Sequence, residues 1–201
     1  MDIQPIIAKL APRAHHVYRQ AFARAEGLPT TPLRLAHFLA QCCHETTALT
    51  VLQENLNYTS AERLCAVWPS RFRTVAAARP FVRNPAGLAE EVYGQRMGNL
   101  SPGDGWRYIG RGLLQLTGRE AYAEIGERIG VNLVARPELA ALETHALPVA
   151  LAVWKWKGCD AHADADSVRL VTRAINGGQI GLRDREEWLE RTKQAVMEMS
   201  V

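Results

Sequence analysis

The sequence predicts a mainly α protein, and three observations predict it. Apolar residues recur at i, i+3, i+4 and i+7 through most of the chain, the spacing of one helix face. Alternating runs rich in β-branched residues, the mark of half-buried strands, are scarce. Residues suited to starting a helix stand directly ahead of several of the periodic segments. In chain order, Thr31 and Pro32 read as cap and first residue of a helix whose apolar stripe is Leu35, Phe38, Leu39 and Cys42. His37, Gln41 and His44 then fall on a polar face, and Glu45 lies on its border, roughly 80° from the centre of the stripe at 100° per residue. Thr59 with Glu62 forms a capping box for a short helix that Pro69 ends, and Asn84-Pro85 opens another that runs to Gly98. GNLSPGDGW (98–106) and RYIGRGLLQLTG (107–118) resist a helical reading, because their glycines mean turns or close backbone approach. An extended path there puts the side chains of Gln115 and Thr117 on one side of the backbone, and Thr117 can also cap the helix REAYAEIGERIG that follows. Asn176 precedes Gly177 at a helix end, and Asp184 with Glu187 forms a capping box for the last helix.

With 201 residues, 47% of them apolar, and no Pro/Ser linker or repeat, the chain is expected to be one domain over residues 1–201 with no tethered binding module. Its net charge of +3 is spread along the sequence without a basic stripe, which argues against nucleic acid as a partner. Of the 24 basic residues 20 are Arg, a bias from which no function is drawn. No apolar run approaches the ~18 residues of a membrane span, so a soluble protein is expected, without a membrane partner and as a monomer. The start MDIQPIIAKL has Asp2, Pro5 and Lys9 where a secretory signal is basic and then apolar, so synthesis in the cytoplasm without a signal peptide is expected. Cys42, Cys43, Cys65 and Cys159 form no CxxC pair and read as buried free thiols, with a bridge from Cys65 left open.

His44-Glu45 invites a zinc reading, which fails because an H-E-x-x-H site needs a second His where Ala48 stands. The remaining histidines, His15-His16, His145 and His162, have no ligand spacing, so neither a metal nor a cofactor is expected. What remains is a pair of carboxylates nine residues apart, Glu45 and Glu54. Taken alone, Glu45 can be an ordinary surface glutamate. As a pair, one acid for a leaving oxygen and one base for a water is the requirement of glycoside hydrolysis. Glu45 on an apolar border is partly desolvated, which favours its protonated form, whereas Glu54 in the polar stretch QENLNY stays hydrated and ionised.

Three stretches carry a resemblance: HETTALTVLQENLNYT (44–59), RMGNLSPGDGWRYIGRGLLQLTGREAY (96–122) and VTRAINGGQIGLRDR (171–185). Together they resemble the family-19 glycoside hydrolases, the chitinase-like group that includes bacteriophage endolysins, over about residues 30 to 190. The nine-residue spacing of the glutamates and the GDGWxYxGRGxxQxTG run look most like the small phage and prophage endolysins. The resemblance implies a lysozyme-like helical fold of two lobes with a substrate groove between them. It makes Glu45 the general acid, Glu54 the general base and Thr117 a holder of the attacking water in an inverting mechanism. His44, Thr46, Tyr108, Arg111, Gln115 and Asn176 become substrate-binding residues. Trp106 is either a sugar platform or a core aromatic, and Arg185 either buttresses the site or sits on the surface. Ala121 departs from the pattern, since many relatives carry Asn there. The substrate implied is peptidoglycan or a chitin-like glycan. The lack of the extra loops and disulfides of plant chitinases favours a wall lysozyme, released to the periplasm through a separate pore protein, a holin. A chitinase and a non-hydrolytic glycan-binding protein are the alternatives.

Overall fold

The computed structural model describes residues 2–198, and in them twelve α-helices and two short 3₁₀ turns account for all the regular structure. Two isolated antiparallel bridges, Gln53 with Arg111 and Arg111 with Leu116, are the only β pairing among the described residues. The chain begins with α1 (Gln4–Leu10) and α2 (His16–Ala23) and then enters α3 (Pro32–Glu45), the central helix. The cap is as the sequence predicts: Thr31 Oγ1 accepts from Arg34 N at 3.2 Å, and Pro32 is the first helical residue.

The polar face expected on α3 does not exist as a solvated surface. His37 and Gln41 are both 0% exposed, and everything from Leu35 to Cys43 is buried. The cause is tertiary. The last helix, α12 (Leu182–Glu198), lies along α3, and α10 (Cys159–Asp164) and α11 (Val168–Asn176) pack beside it. One polar atom of each buried group finds a partner there: His37 Nε2 meets Asp166 Oδ1, between α10 and α11, at 2.9 Å, Gln41 Oε1 accepts from Arg185, and Thr192 Oγ1 donates to Ala36 O at 2.8 Å, while His37 Nδ1 and Gln41 Nε2 have no protein partner.

Two separate apolar cores divide the molecule. The larger gathers α1, α2 and α3 with α8 (Arg119–Ile129), α9 (Ala146–Trp156) and α10 to α12, around residues such as Phe22, Phe38, Tyr122 and Trp154. The smaller is built from Leu56, Leu64, Phe72, Leu88, Val92 and Ile109, on and around α4 (Ala61–Val67), α5 (Val75–Ala78) and α6 (Pro85–Tyr93). These are the two helical lobes expected. Cys42, Cys43 and Cys159 are buried free thiols and Cys65 is a half-buried one, so no bridge forms. Burial pushes the Cys43 thiol up to about 12, far from a reactive thiolate.

Several helix ends differ from expectation. Ser60 rather than Thr59 caps α4, accepting from Arg63 N at 3.1 Å, and Glu62 bonds the Ser60 hydroxyl instead of closing a box. Asn84 does cap α6, but the helix stops at Gly94, not Gly98, where a Cβ would stand 2.5 Å from Glu90 O. The segment 98–106 is not all loop, because Asp104–Arg107 make one helical turn, α7. The last helix begins at Leu182, two residues before the Asp184 expected to cap it.

Candidate active site

The connection from Glu45 to Glu54 is made by an unusual turn. Thr47, Ala48 and Leu49 have φ of 49°, 56° and 62°, three successive L-residues in the left-handed region. Each costs about 1–2 kcal/mol, and buried bonds offset this. Ala48 N donates to Cys43 O at 2.7 Å, Thr50 N and Val51 N both donate to Thr46 O, and the Leu49 side chain is fully buried. Thr46 is itself buried: its hydroxyl donates to Cys42 O at 2.5 Å and accepts from Leu49 N at 3.0 Å. It shapes the turn and does not face a ligand, contrary to the substrate-binding role expected of it.

Beyond the turn the chain docks against the glycine-rich segment. Gly112 N donates to Leu52 O, and Glu54 N donates to Gly110 O, each at 2.9 Å. Residues 111–116 double back, with bonds in both directions between Arg111 and Leu116. Gln115 therefore sits at φ 48° in a tight turn, where an extended stretch was expected. Thr117 does not cap α8, which starts after Gly118 without a side-chain bond; its hydroxyl donates to Gln115 O at 2.9 Å.

Glu45 and Glu54 line one cavity of about 340 Å³, together with Thr117, Gln115, Asn176, Tyr93, Gly110 and the apolar Val51, Leu114 and Ile175. A larger hollow of about 620 Å³ shares Tyr93, Leu114, Gln115, Thr117, Ile175 and Asn176 with it and extends toward Trp156 and Lys157. The groove so formed runs between residues of both lobes, because Tyr93 ends α6 of the small lobe and Asn176 ends α11 of the large one. Asn176 lines the cavity and also closes its helix end, where Gly177 takes the left-handed position at φ 70°.

The two carboxylates are held differently. Glu45 Oε1 accepts from Arg185 Nη2 at 2.5 Å, and Arg185, 1% exposed, also donates to Gln41. Arg185 is thus a buried buttress and not a surface residue. The desolvation expected at Glu45 is present, its side chain being 16% exposed, but a guanidinium stands against it. Glu54 is held by neutral donors: Gly110 N reaches Oε1 at 2.5 Å and the Tyr93 hydroxyl reaches Oε2 at 2.7 Å. Burial, with the Glu54 carboxylate beside it, holds the Tyr93 hydroxyl well above the ordinary phenol range, so it remains a donor. A Cβ on Gly110 would lie 2.9 Å from Gln115 Oε1, 3.1 Å from Thr117 Oγ1 and 3.3 Å from Glu54 Oε1, so only glycine leaves this group of polar atoms its space.

Three further residues expected to bind substrate do not line the cavity. Tyr108 is 2% exposed in the large core, with its hydroxyl on Val134 O at 3.1 Å. Arg111 turns inward to Arg107 O and the Tyr122 hydroxyl. His44 bonds Asp184 Oδ2 through Nδ1 at 2.5 Å and packs on Gly181. These three brace the walls instead: the glycine-rich motif uses its polar side chains partly to tie its own backbone down. Trp106 is 40% exposed and lies outside both hollows, so it is not a core aromatic. The residue that sequence reasoning missed is Tyr93, whose link to Glu54 spans 39 positions and leaves no local signal. Among the described residues no group of three His, Cys, Asp or Glu side chains could hold a metal.

Comparison with known proteins shows the family of the chain and the likeness of its fold. The family model described as chitinase class I, the family-19 glycoside hydrolases, matches residues 14–173. A "glycosyl hydrolase family 19 domain-containing protein" of Haemophilus influenzae is 39% identical over 155 residues, which is 76% of this chain and 75% of that one. Among solved structures, chitinase C from Streptomyces griseus HUT6037 superposes with a TM-score of 0.59 at 18% identity, over 98% of this chain and 91% of that one. A bacterial family 19 chitinase gives 0.56 at 19% identity, over 98% and 94%. At such identities the likeness to the two structures is one of fold.

Proposed function

The chain belongs to the family-19 glycoside hydrolases, and on that premise we propose that it is an endolysin-type muramidase that cuts the glycan strand of peptidoglycan with inversion. The observation that carries this reading is the single cavity lined by Glu45, Glu54 and Thr117, with each carboxylate anchored by its own donors. Glu45 gives its proton to the glycosidic oxygen as the bond to the anomeric carbon breaks through an oxocarbenium-like transition state. The carboxylate this leaves on Glu45 faces Arg185 at 2.5 Å, a cation already in place to receive the charge. A water between Glu54 and the Thr117 hydroxyl attacks the opposite face of the sugar and passes its proton to Glu54. One water is consumed, and solvent exchange restores both carboxyls. The two bonds to Glu54 fix the direction of the base, and the cavity has space for a water beside it. Gln115 and Asn176 offer amides that donate and accept at once, which suits N-acetyl groups.

The short direct path from Glu45 to Glu54, with no inserted loop and no disulfide, supports a wall lysozyme over a plant-type chitinase. Release to the wall through a separate pore protein belongs to the same proposal. The second reading is a chitinase, favoured by the fold likeness to solved chitinases. Digesting purified peptidoglycan and chitin oligosaccharides side by side separates the two. Mass spectrometry of the muropeptides after borohydride reduction identifies the new reducing sugar: muramic acid supports the muramidase, and glucosamine or no release contradicts it.

A further inference from the structure

Lys157 stands at the end of α9, and its ammonium lies 4.2 Å from the centroid of the Trp156 ring. Both residues line the larger hollow, which shares Gln115, Thr117 and Asn176 with the cavity of the two glutamates. The other three lysines are neutralised: Lys9 by Glu198, Lys155 by Asp160 and Lys193 by Asp166. Among the described residues Lys157 has no carboxylate partner, although Glu120 lines the same hollow. The indole holds the ammonium by a cation–π contact, so its position is set before any ligand arrives.

An oriented, unneutralised cation in a glycan groove recognises an anion on the glycan. Chitin carries none. Peptidoglycan carries carboxylates on the lactyl-peptide substituent of every second sugar. We propose that Lys157, held on Trp156, forms a carboxylate-binding subsite that reads this acidic substituent, an inference that rests on the muramidase reading and names the part of the substrate that sets its specificity. The subsite lies along the groove from the reacting bond and takes no part in the proton transfers.

The test compares kcat/KM for the wild-type chain, Lys157→Gln and Lys157→Arg on three forms of the same glycan strand: with native stem peptides, with stems removed by an amidase to leave the lactyl carboxylate, and with every carboxylate capped as a methylamide. Lys157→Gln is expected to lose about tenfold on native strands, the size of one charge-assisted bond, and nothing on capped strands. Lys157→Arg keeps most of the activity, and the difference between wild type and Lys157→Gln shrinks as salt is raised. Loss on native strands alone assigns the anion to the stem, loss on stripped strands alone assigns it to the lactyl group, and equal loss on both means that the subsite accepts either carboxylate. Equal loss on capped and native strands, or no loss on either, overturns the subsite while leaving the muramidase reading intact. If the wild-type chain cleaves none of the three, the muramidase reading fails and the subsite fails with it.

Discussion

Glu45 and Glu54 reach one cavity from regions built on opposite plans. Glu45 ends a helix buried on every side from Leu35 to Cys43 and is gripped by a single cation, Arg185, which is itself enclosed. Glu54 stands on an irregular segment and is gripped by a backbone N–H and a phenol, both neutral. A cation beside a group that must lose a proton stabilises the state after the loss. Neutral donors fix the direction of a group that must gain one, without bringing a charge that would oppose the gain. The two proposed roles are therefore distinguished more by the kind of partner than by burial, which is intermediate for both.

Removing either carboxyl breaks the comparison outright. Glu45→Gln and Glu54→Gln should each lower kcat by about 10²–10⁴-fold while the protein still unfolds cooperatively, as read by turbidity loss of peptidoglycan and by a thermal melt. Near-normal turnover in Glu54→Gln would mean that another carboxylate is the base, with Glu62 the first to examine. Arg185→Met tests the charged grip. It should destabilise the fold by about 3 kcal/mol, the low end for breaking a buried ion pair because part of Glu45 remains in solvent, and urea melts measure it. Tyr93→Phe tests the neutral grip and should leave the urea midpoint nearly unchanged while cutting kcat about tenfold, with KM little altered. If Tyr93→Phe and Arg185→Met lose stability equally, the two regions are not built as described. The smallest effect is expected at Ala48→Gly. Relief of the left-handed strain at φ 56°, less the extra freedom glycine gives the unfolded chain, should raise stability by under ~1 kcal/mol with activity kept.

The asymmetry of the two regions also decides how much of each could be read from sequence. The α3 side was legible where the signal is local: Thr31 and Pro32 mark the start of the helix, and the apolar stripe marks its core face. It was misread at His37 and Gln41, because a helix-face argument assumes water opposite the stripe and here α12 takes its place. The Glu54 side was legible as a motif and poorly legible as a shape. Three left-handed residues without a glycine leave no turn signature at Thr47–Leu49, and Gln115 hides another such turn in what looks extended. Within the glycine-rich motif, residue type alone does not separate Gln115 and Thr117, which face the cavity, from Tyr108 and Arg111, which tie the segment down. Helix ends moved by one to four residues, as at Ser60 and Gly94, where neighbouring residues could serve equally well as caps or stops.

In the proposed mechanism Glu54 activates a water and never bonds the sugar. Inverting enzymes hold their carboxyls about 6.5–9.5 Å apart to admit that water, against about 5–5.5 Å where the second carboxylate is the nucleophile. In support, both Glu54 oxygens are already engaged, one by Gly110 N and one by Tyr93, and Thr117 lines the same space. Proton NMR of a soluble β-linked oligosaccharide during its first turnovers, read before mutarotation mixes the anomers, tests this most directly. Inversion at a β-linkage releases the α-anomer first. An initial β-anomer, or a glycosyl adduct trapped on Glu54, would contradict it.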